Sequence, residues 1–161
     1  MITDRNISDI ENALILIQKM QSGQPLTDEE RAAFFAGLRG CYNISDLNRV
    51  ESKVNELSAL LNANGYNNVV ITKTWTGGEI MRYSDIARYL GNITALRGAI
   101  SVKDDTPDTP AIGRWLDYVA ANETEQILVD VEELIAAMNA SAAISGTFYS
   151  GARRALPLGR I

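Results

Sequence analysis

Residues 42–61, YNISDLNRVESKVNELSALL, place Leu47, Val50, Val54, Leu57 and Leu61 at steps of three and four. That spacing puts all five on one stripe of a 3.6-residue helix and leaves Arg49, Glu51, Lys53 and Glu56 outside it. Asn43 or Ser45 is placed to cap the first turn, Asp46 suits the positive end of the helix dipole, and Gly65 supplies a left-handed stop. The helix runs from about Ser45 to Ala63, roughly 28 Å at 1.5 Å per residue. Its stripe demands a core, so the rest of the chain is read as what packs against it. The first and fourth helices are the expected neighbours.

Upstream, Asn6 or Ser8 to Met20 forms a first helix, with Ile7, Ile10, Leu14 and Ile17 on one face and Ile15, Leu16 and Met20 widening it, a pattern that predicts deep burial. Ser22-Gly23-Gln24-Pro25 breaks it. Thr27 and Glu30 then have the spacing of a capping box, opening a short helix to Leu38. Phe34, Phe35 and Leu38 are expected to dock this helix on its neighbours, and Gly40 to end it. Downstream, 66–75 (YNNVVITKTW) is rich in β-branched and aromatic residues and reads as a short strand or an extended connector. Ser84 caps a fourth helix bearing Ile86, Tyr89, Leu90, Ile93, Leu96 and Ile100. The segment 101–110, SVKDDTPDTP, disfavours helix and central strand and reads as an exposed linker. A last long helix runs from Asp117 or Tyr118 to Met138 or Ala140.

The fold class is therefore mainly α: a small bundle of about five helices with a short extended or strand connector and an extended C-terminal tail. Residues 1–103 form an N-terminal bundle and 104–110 a linker. Residues 111–144 carry the long helix, packing on the bundle as one domain, and 145–161 the tail. A weak echo joins the two longest helices. Asn48-x-x-Glu51 and Asn122-x-x-Glu125 border their apolar stripes at the same offset, where they can bond to a neighbouring backbone, or simply serve as polar borders of ordinary amphipathic helices.

At 161 residues and 46% hydrophobic content the chain can bury one sizeable core. A net charge of −5 without a basic block argues against nucleic acid. No apolar run approaches the ~20 residues of a membrane span, and the first residues lack signal-peptide character, so synthesis in the cytoplasm is expected. The five Asn-x-Ser/Thr triplets then have no route to glycosylation.

With no histidine, Ser-His and Cys-His nucleophiles are excluded, and a single cysteine, Cys41, excludes an internal disulfide and a structural zinc site. Asp104, Asp105 and Asp108 are available for acid and base work or a weak calcium site, but their proline-containing loop reads as a solvated linker. Asp130, Glu132 and Glu133 read as a solvated helix face, and Thr76-Gly77-Gly78 as a turn. No catalytic residue, metal or cofactor is expected. Tyr66, Trp75 and Trp115 flank loops, where aromatic faces can stack on a carbohydrate or peptide or can bury a hinge.

ITDR (2–5), LTDEERAAFFAGLRGCYNISDLNRVE (26–51), KTWT (73–76), MRYSDIARYLGNITALR (81–97), ILVDVEELI (127–135) and SGTFYSG (145–151), taken in order, resemble a family of small virion-associated proteins of phages and prophages of Firmicutes-type bacteria. The sequence departs from that pattern where an Asp commonly precedes the Trp of a KTDWT-like motif and where a proline-bearing turn replaces Gly78 to Met81. The resemblance implies a tail, fibre or minor structural protein without catalytic mechanism, made in the host cytoplasm and assembled into the virion. Its partners would be other virion proteins, with homo-oligomers and contact with the host cell wall also expected. Phe148, Tyr149, Arg153, Arg154 and Leu156 are the candidate contact residues. The alternative is a host-surface module binding cell-wall glycan or protein through Tyr66 and Trp75, and a distant third is a hydrolase using acidic residues.

Overall fold

The structure, a computed structural model, describes residues 1–111 and 117–151, side chains of 143–151 excepted. Five helices follow in order: α1 (Ile7–Gln21), α2 (Asp28–Ala36), α3 (Ile44–Ala63), α4 (Tyr83–Ala99) and α5 (Tyr118–Gly151). No strand occurs among the described residues, and 66–80 is an extended connector. The core is α3, α4 and α5 packed against one another. All five stripe residues of α3 are buried in it, with Leu90, Ile93 and Leu96 from α4 and Ile127, Leu128, Val131 and Ile135 from α5. The partners of α3 are therefore α4 and α5, where the sequence predicted the first and fourth helices.

These three helices run in the same direction. Arg49 of α3 bonds Glu125 of α5 at 2.7 Å, Lys53 meets Glu132 at 3.1 Å, and Tyr66, just past α3, reaches the Met138 sulfur at 3.9 Å. Likewise Glu51 pairs with Arg88 of α4, and Asn68, held at the end of α3, donates to the Ala95 carbonyl at 2.9 Å. Parallel helices need connections that travel back their full length. From Asn48 to Asn62 the helix rises about 21 Å. The extended chain from Trp75 back to Asn68 spans about 23 Å, so seven residue steps retrace fourteen. Of the second return, 101–111 are described, and there the linker its composition predicts is only partly exposed: Ser101, Lys103, Asp104, Asp105 and Asp108 face solvent. Arg97 donates to the Pro107 carbonyl at 2.8 Å and pairs with Asp108 at 2.9 Å, and Thr106 and Pro110 are buried.

α1 and α2 stand apart from this core as a thin hairpin. Asn6 caps α1, and Thr27 and Glu30 form the expected reciprocal box on α2. The only buried apolar residues of this satellite are Ala13, Leu16 and Leu38. α1 is thus not deeply buried, and neither Phe34 nor Phe35 docks: Phe35 is 85% exposed. α2 ends at Gly37, whose φ of 94° favours glycine, and not at Gly40. Gly40 instead permits a close approach. A Cβ there would meet the Asp9 carbonyl at 2.2 Å, so only glycine lets the turn lie on α1. Nor does Ser84 cap α4. The cap position is Arg82, two residues earlier, where the Asp85 carboxylate takes the Arg82 backbone N–H at 3.1 Å.

α5 overruns its expected end and remains helical to Gly151, so 145–151 is not extended tail. Single glycines such as Gly146 cost a helix only ~1 kcal/mol, and the first proline after Pro110 is Pro157. Because Val54 is 1% exposed among apolar neighbours, Val54→Asp should destabilise the fold by about 3–5 kcal/mol. Soluble Val54→Asp protein with full helicity and unchanged denaturant midpoint would refute the assigned core.

Candidate functional site

An extended segment lying between helices has backbone groups on both edges that need partners. Here asparagine amides supply them. Asn48 of α3 donates to the Trp75 carbonyl (3.0 Å) and accepts its N–H (2.8 Å). Asn62 does the same for Asn68, both at 2.8 Å, and Asn92 of α4 for Ile71, at 2.8 and 3.0 Å. A fourth clamp holds the N-terminal segment: Asn122 of α5 donates to the Arg5 carbonyl (2.8 Å) and accepts its N–H (3.1 Å). The Asn-x-x-Glu echo of the sequence thus marks one device used twice. In each copy the Asn grips a residue's backbone, and the Glu one turn later takes that residue's side chain.

In the first copy Glu51 accepts the Trp75 Nε1–H at 3.2 Å and is bridged by Arg88 at 2.5 and 3.1 Å. Lys73 Nζ lies 3.8 Å from the centre of the Trp75 ring, a cation-π contact. In the second, Glu125 is fully buried and receives Arg5 (2.8 Å), Arg49 (2.7 Å) and the Ile2 N–H (2.5 Å). Asp46 joins this cluster through Arg49 (2.7 Å) and Arg5 (3.2 Å), so two carboxylates face two guanidiniums. Beside them the Tyr42 and Tyr89 hydroxyls are hydrogen-bonded to each other, and burial pushes both phenols above their ordinary range. Burial also works to raise the Asp46 carboxyl, but the Asn43 N–H and the Arg49 and Arg5 charges outweigh it and hold it below its usual 3.8.

Trp75 is consequently a core residue, 4% exposed, and offers no stacking face to a ligand. The half-buried Tyr66 packs on the same core. Trp75 therefore forms no sugar platform, because its indole N–H has a carboxylate to satisfy and its ring a hydrophobic face to fill. Trp115 and the contact candidates Arg153, Arg154 and Leu156 lie outside the described residues, as do the side chains of Phe148 and Tyr149.

An open groove of about 610 Å³ is lined by Lys73, Glu79, Ile80, Arg82, Ser84 and Asp85. Three of its four charged side chains are paired with one another, Lys73 with Glu79 at 2.9 Å and with Asp85 at 3.3 Å. The Thr76 hydroxyl and Lys73 hold Glu79 below its ordinary range, and the Arg82 N–H and Lys73 do so for Asp85, with burial opposing. Among the described residues no three His, Cys, Asp or Glu side chains come together as a metal site, and no helix is long and apolar enough to cross a membrane.

What the described surface offers instead is apolar area. On the hairpin Ile7 (61%), Leu14, Ile15, Met20 and Phe35 are exposed, and α2 buries no residue at all. A shallow groove of about 270 Å³ between α1 and α2 is floored by Ala13, Leu16, Ala33 and Leu38. Single exposed hydrophobes are ordinary, but here several lie on one small hairpin. Periodicity alone misses this, because an apolar helix face looks the same whether a core or a partner covers it. No protein-family model, curated protein or solved structure matches the chain.

Asn122→Ala would strip the Arg5 N–H and C=O of their partners and should cost roughly 1–3 kcal/mol, against a near-neutral Asn139→Ala on the exposed part of α5. Equal denaturant midpoints for the two variants would sink the clamp. Acid should act through Asp46. A carboxyl held below 3.8 in the fold adds stability that is complete above that pH and is lost as pH falls through the folded value. Asp46→Asn should therefore show a shallower loss of stability as pH falls below about 4, and a slope parallel to wild type would count against it.

Proposed function

We propose that the chain is a noncatalytic structural or adaptor component of a phage tail, baseplate or fibre, acting through protein contacts. The observation that carries the adaptor reading is the division of the molecule. A core of α3–α5 with its buried charges paired leaves an apolar hairpin on one side and a helix, α5, that continues past its last residue at the core. Among the described side chains Ile135 and Met138 are the last of α5 at the core, and 139–142 are exposed. A surface of that kind fits a part built into an assembly. The assignment to a virion rests on the family resemblance of the motifs from ITDR to SGTFYSG.

Truncation after Ala143 tests the reading. It removes the candidate contacts Phe148, Tyr149, Arg153, Arg154 and Leu156 while leaving every described buried residue of the α3–α5 core in place. The truncated chain should keep its melting temperature and be lost from purified particles by tenfold or more in quantitative immunoblots. Undiminished incorporation would overturn the role given to this segment.

A further inference from the structure

The apolar hairpin and the outgoing end of α5 lie at opposite ends of the α3–α5 body. The hairpin is rooted where Asn122 and Glu125 hold Arg5, at the start of α5. Ile7 follows two residues later, and Leu14 and Ile15 lie within about 12 Å of it along α1. At the other end α5 leaves the core at Met138, beside Tyr66, and Gly151 is about 44 Å of helix from Asn122. Arg153 and Arg154 come within about 11 Å of Gly151 along the chain. The described end of α5 at Gly151 therefore lies well away from the root of the hairpin in its own copy.

Their chemistry is nevertheless complementary. From Leu134 to Ile161 the sequence contains no Asp or Glu and carries Arg153, Arg154 and Arg160, in a chain whose net charge is −5. The hairpin, residues 6–39, has five acidic side chains to three basic ones, with Glu11, Asp28 and Glu29 exposed beside the apolar residues. An uncharged helix followed by arginines matches an apolar face edged with carboxylates.

Resting on the reading that this chain works through protein contacts, we infer that the C-terminal arm of one copy, 139–156, docks on the α1–α2 hairpin of a second copy. The two surfaces are different, so the contact is heterologous: each copy offers one arm and one hairpin, and association continues head to tail until it closes as a ring or runs on as a fibre.

Sedimentation of the purified full chain over a hundredfold concentration range tests this, with two double variants. Leu14→Glu/Phe35→Glu spoils the hairpin and Arg153→Glu/Arg154→Glu spoils the arm. Wild type should grow past dimer mass with concentration, and each variant alone should stay monomeric to at least tenfold higher concentration. An equimolar mixture should stop at a dimer, because one intact hairpin and one intact arm remain. Helicity and melting should be unchanged in the arm variant, and Phe35→Ser, at a position 85% exposed, serves as a milder hairpin lesion should the double charge disturb α1. Monomeric wild type throughout, or self-association by either variant alone, would overturn the inference; the latter would mean that hairpins or arms pair with themselves. Monomeric wild type that still enters particles through residues after Ala143 would remove the second copy as partner and leave the adaptor role. Head-to-tail growth by a chain that never enters particles would do the reverse.

Discussion

Three helices pointing the same way cannot be joined by tight turns, and that constraint shapes the body of this protein. Each return must run extended along the bundle, and an extended chain away from a sheet has donors and acceptors on both edges. Asn48, Asn62 and Asn92 meet that demand between α3 and α4, each with one amide group gripping one residue's N–H and C=O. An asparagine amide carries the same donor and acceptor pair as a neighbouring strand would, so a helix can pair with an extended segment as a strand does. The cost is helix propensity, since asparagine is a modest helix former. Three such residues at that cost, together ~2 kcal/mol, are offset by backbone groups that would each cost ~1–3 kcal/mol if left bare.

Charge enters the core for the same reason. Glu51 and Glu125 sit one turn from their asparagines, where each catches the side chain of the clamped residue, Trp75 in one case and Arg5 in the other. A lone buried carboxylate would be prohibitive, and both are matched: Glu51 by Arg88 across the α3–α4 crossing, Glu125 by Arg5 and Arg49 across α3–α5. Such pairs contribute little net stability compared with apolar packing, but they are intolerant of mismatch. The register of each crossing is thereby fixed, since a shift of one helical step would leave a buried charge without its partner. Apolar stripes alone permit sliding; the two Glu-Arg sets do not.

Period is the part of the fold most legible in the sequence. Leu47, Val50, Val54, Leu57 and Leu61 announce a buried stripe because a 3.6-residue repeat has one interpretation, and all five are in the core. The same logic misplaces α1, whose run Leu14-Ile15-Leu16-Ile17 is apolar nearly all round while only Leu16 among them is buried. The matched offset of Asn48/Glu51 and Asn122/Glu125 is visible as spacing, yet what they grip lies 27 and 117 residues away. No local pattern encodes that. Trp75, flanking a loop, reads either as a ligand platform or as a buried hinge residue; its indole N–H bond to Glu51, on a different element, is what places it inside. A cue that points to the clamps is the recurrence of asparagine at helix positions beside apolar stripes, where propensity alone would favour Ala, Glu or Lys.

The contrast between body and appendages has an energetic consequence. Clamped returns and matched charges close the α3–α5 body on itself, so its order does not depend on a partner. The hairpin buries only Ala13, Leu16 and Leu38, and past Met138 the described side chains of α5, residues 139–142, are exposed. A helical stretch of about thirteen residues is marginal in water by itself, and here it is sustained by continuity with the buried half of the same helix. Covering it adds stability locally and leaves the core as it was. Burial of apolar surface on the hairpin and the arm can thus contribute to association without being consumed in reorganising the body, which is the arrangement expected of a rigid part presenting two adhesive ends.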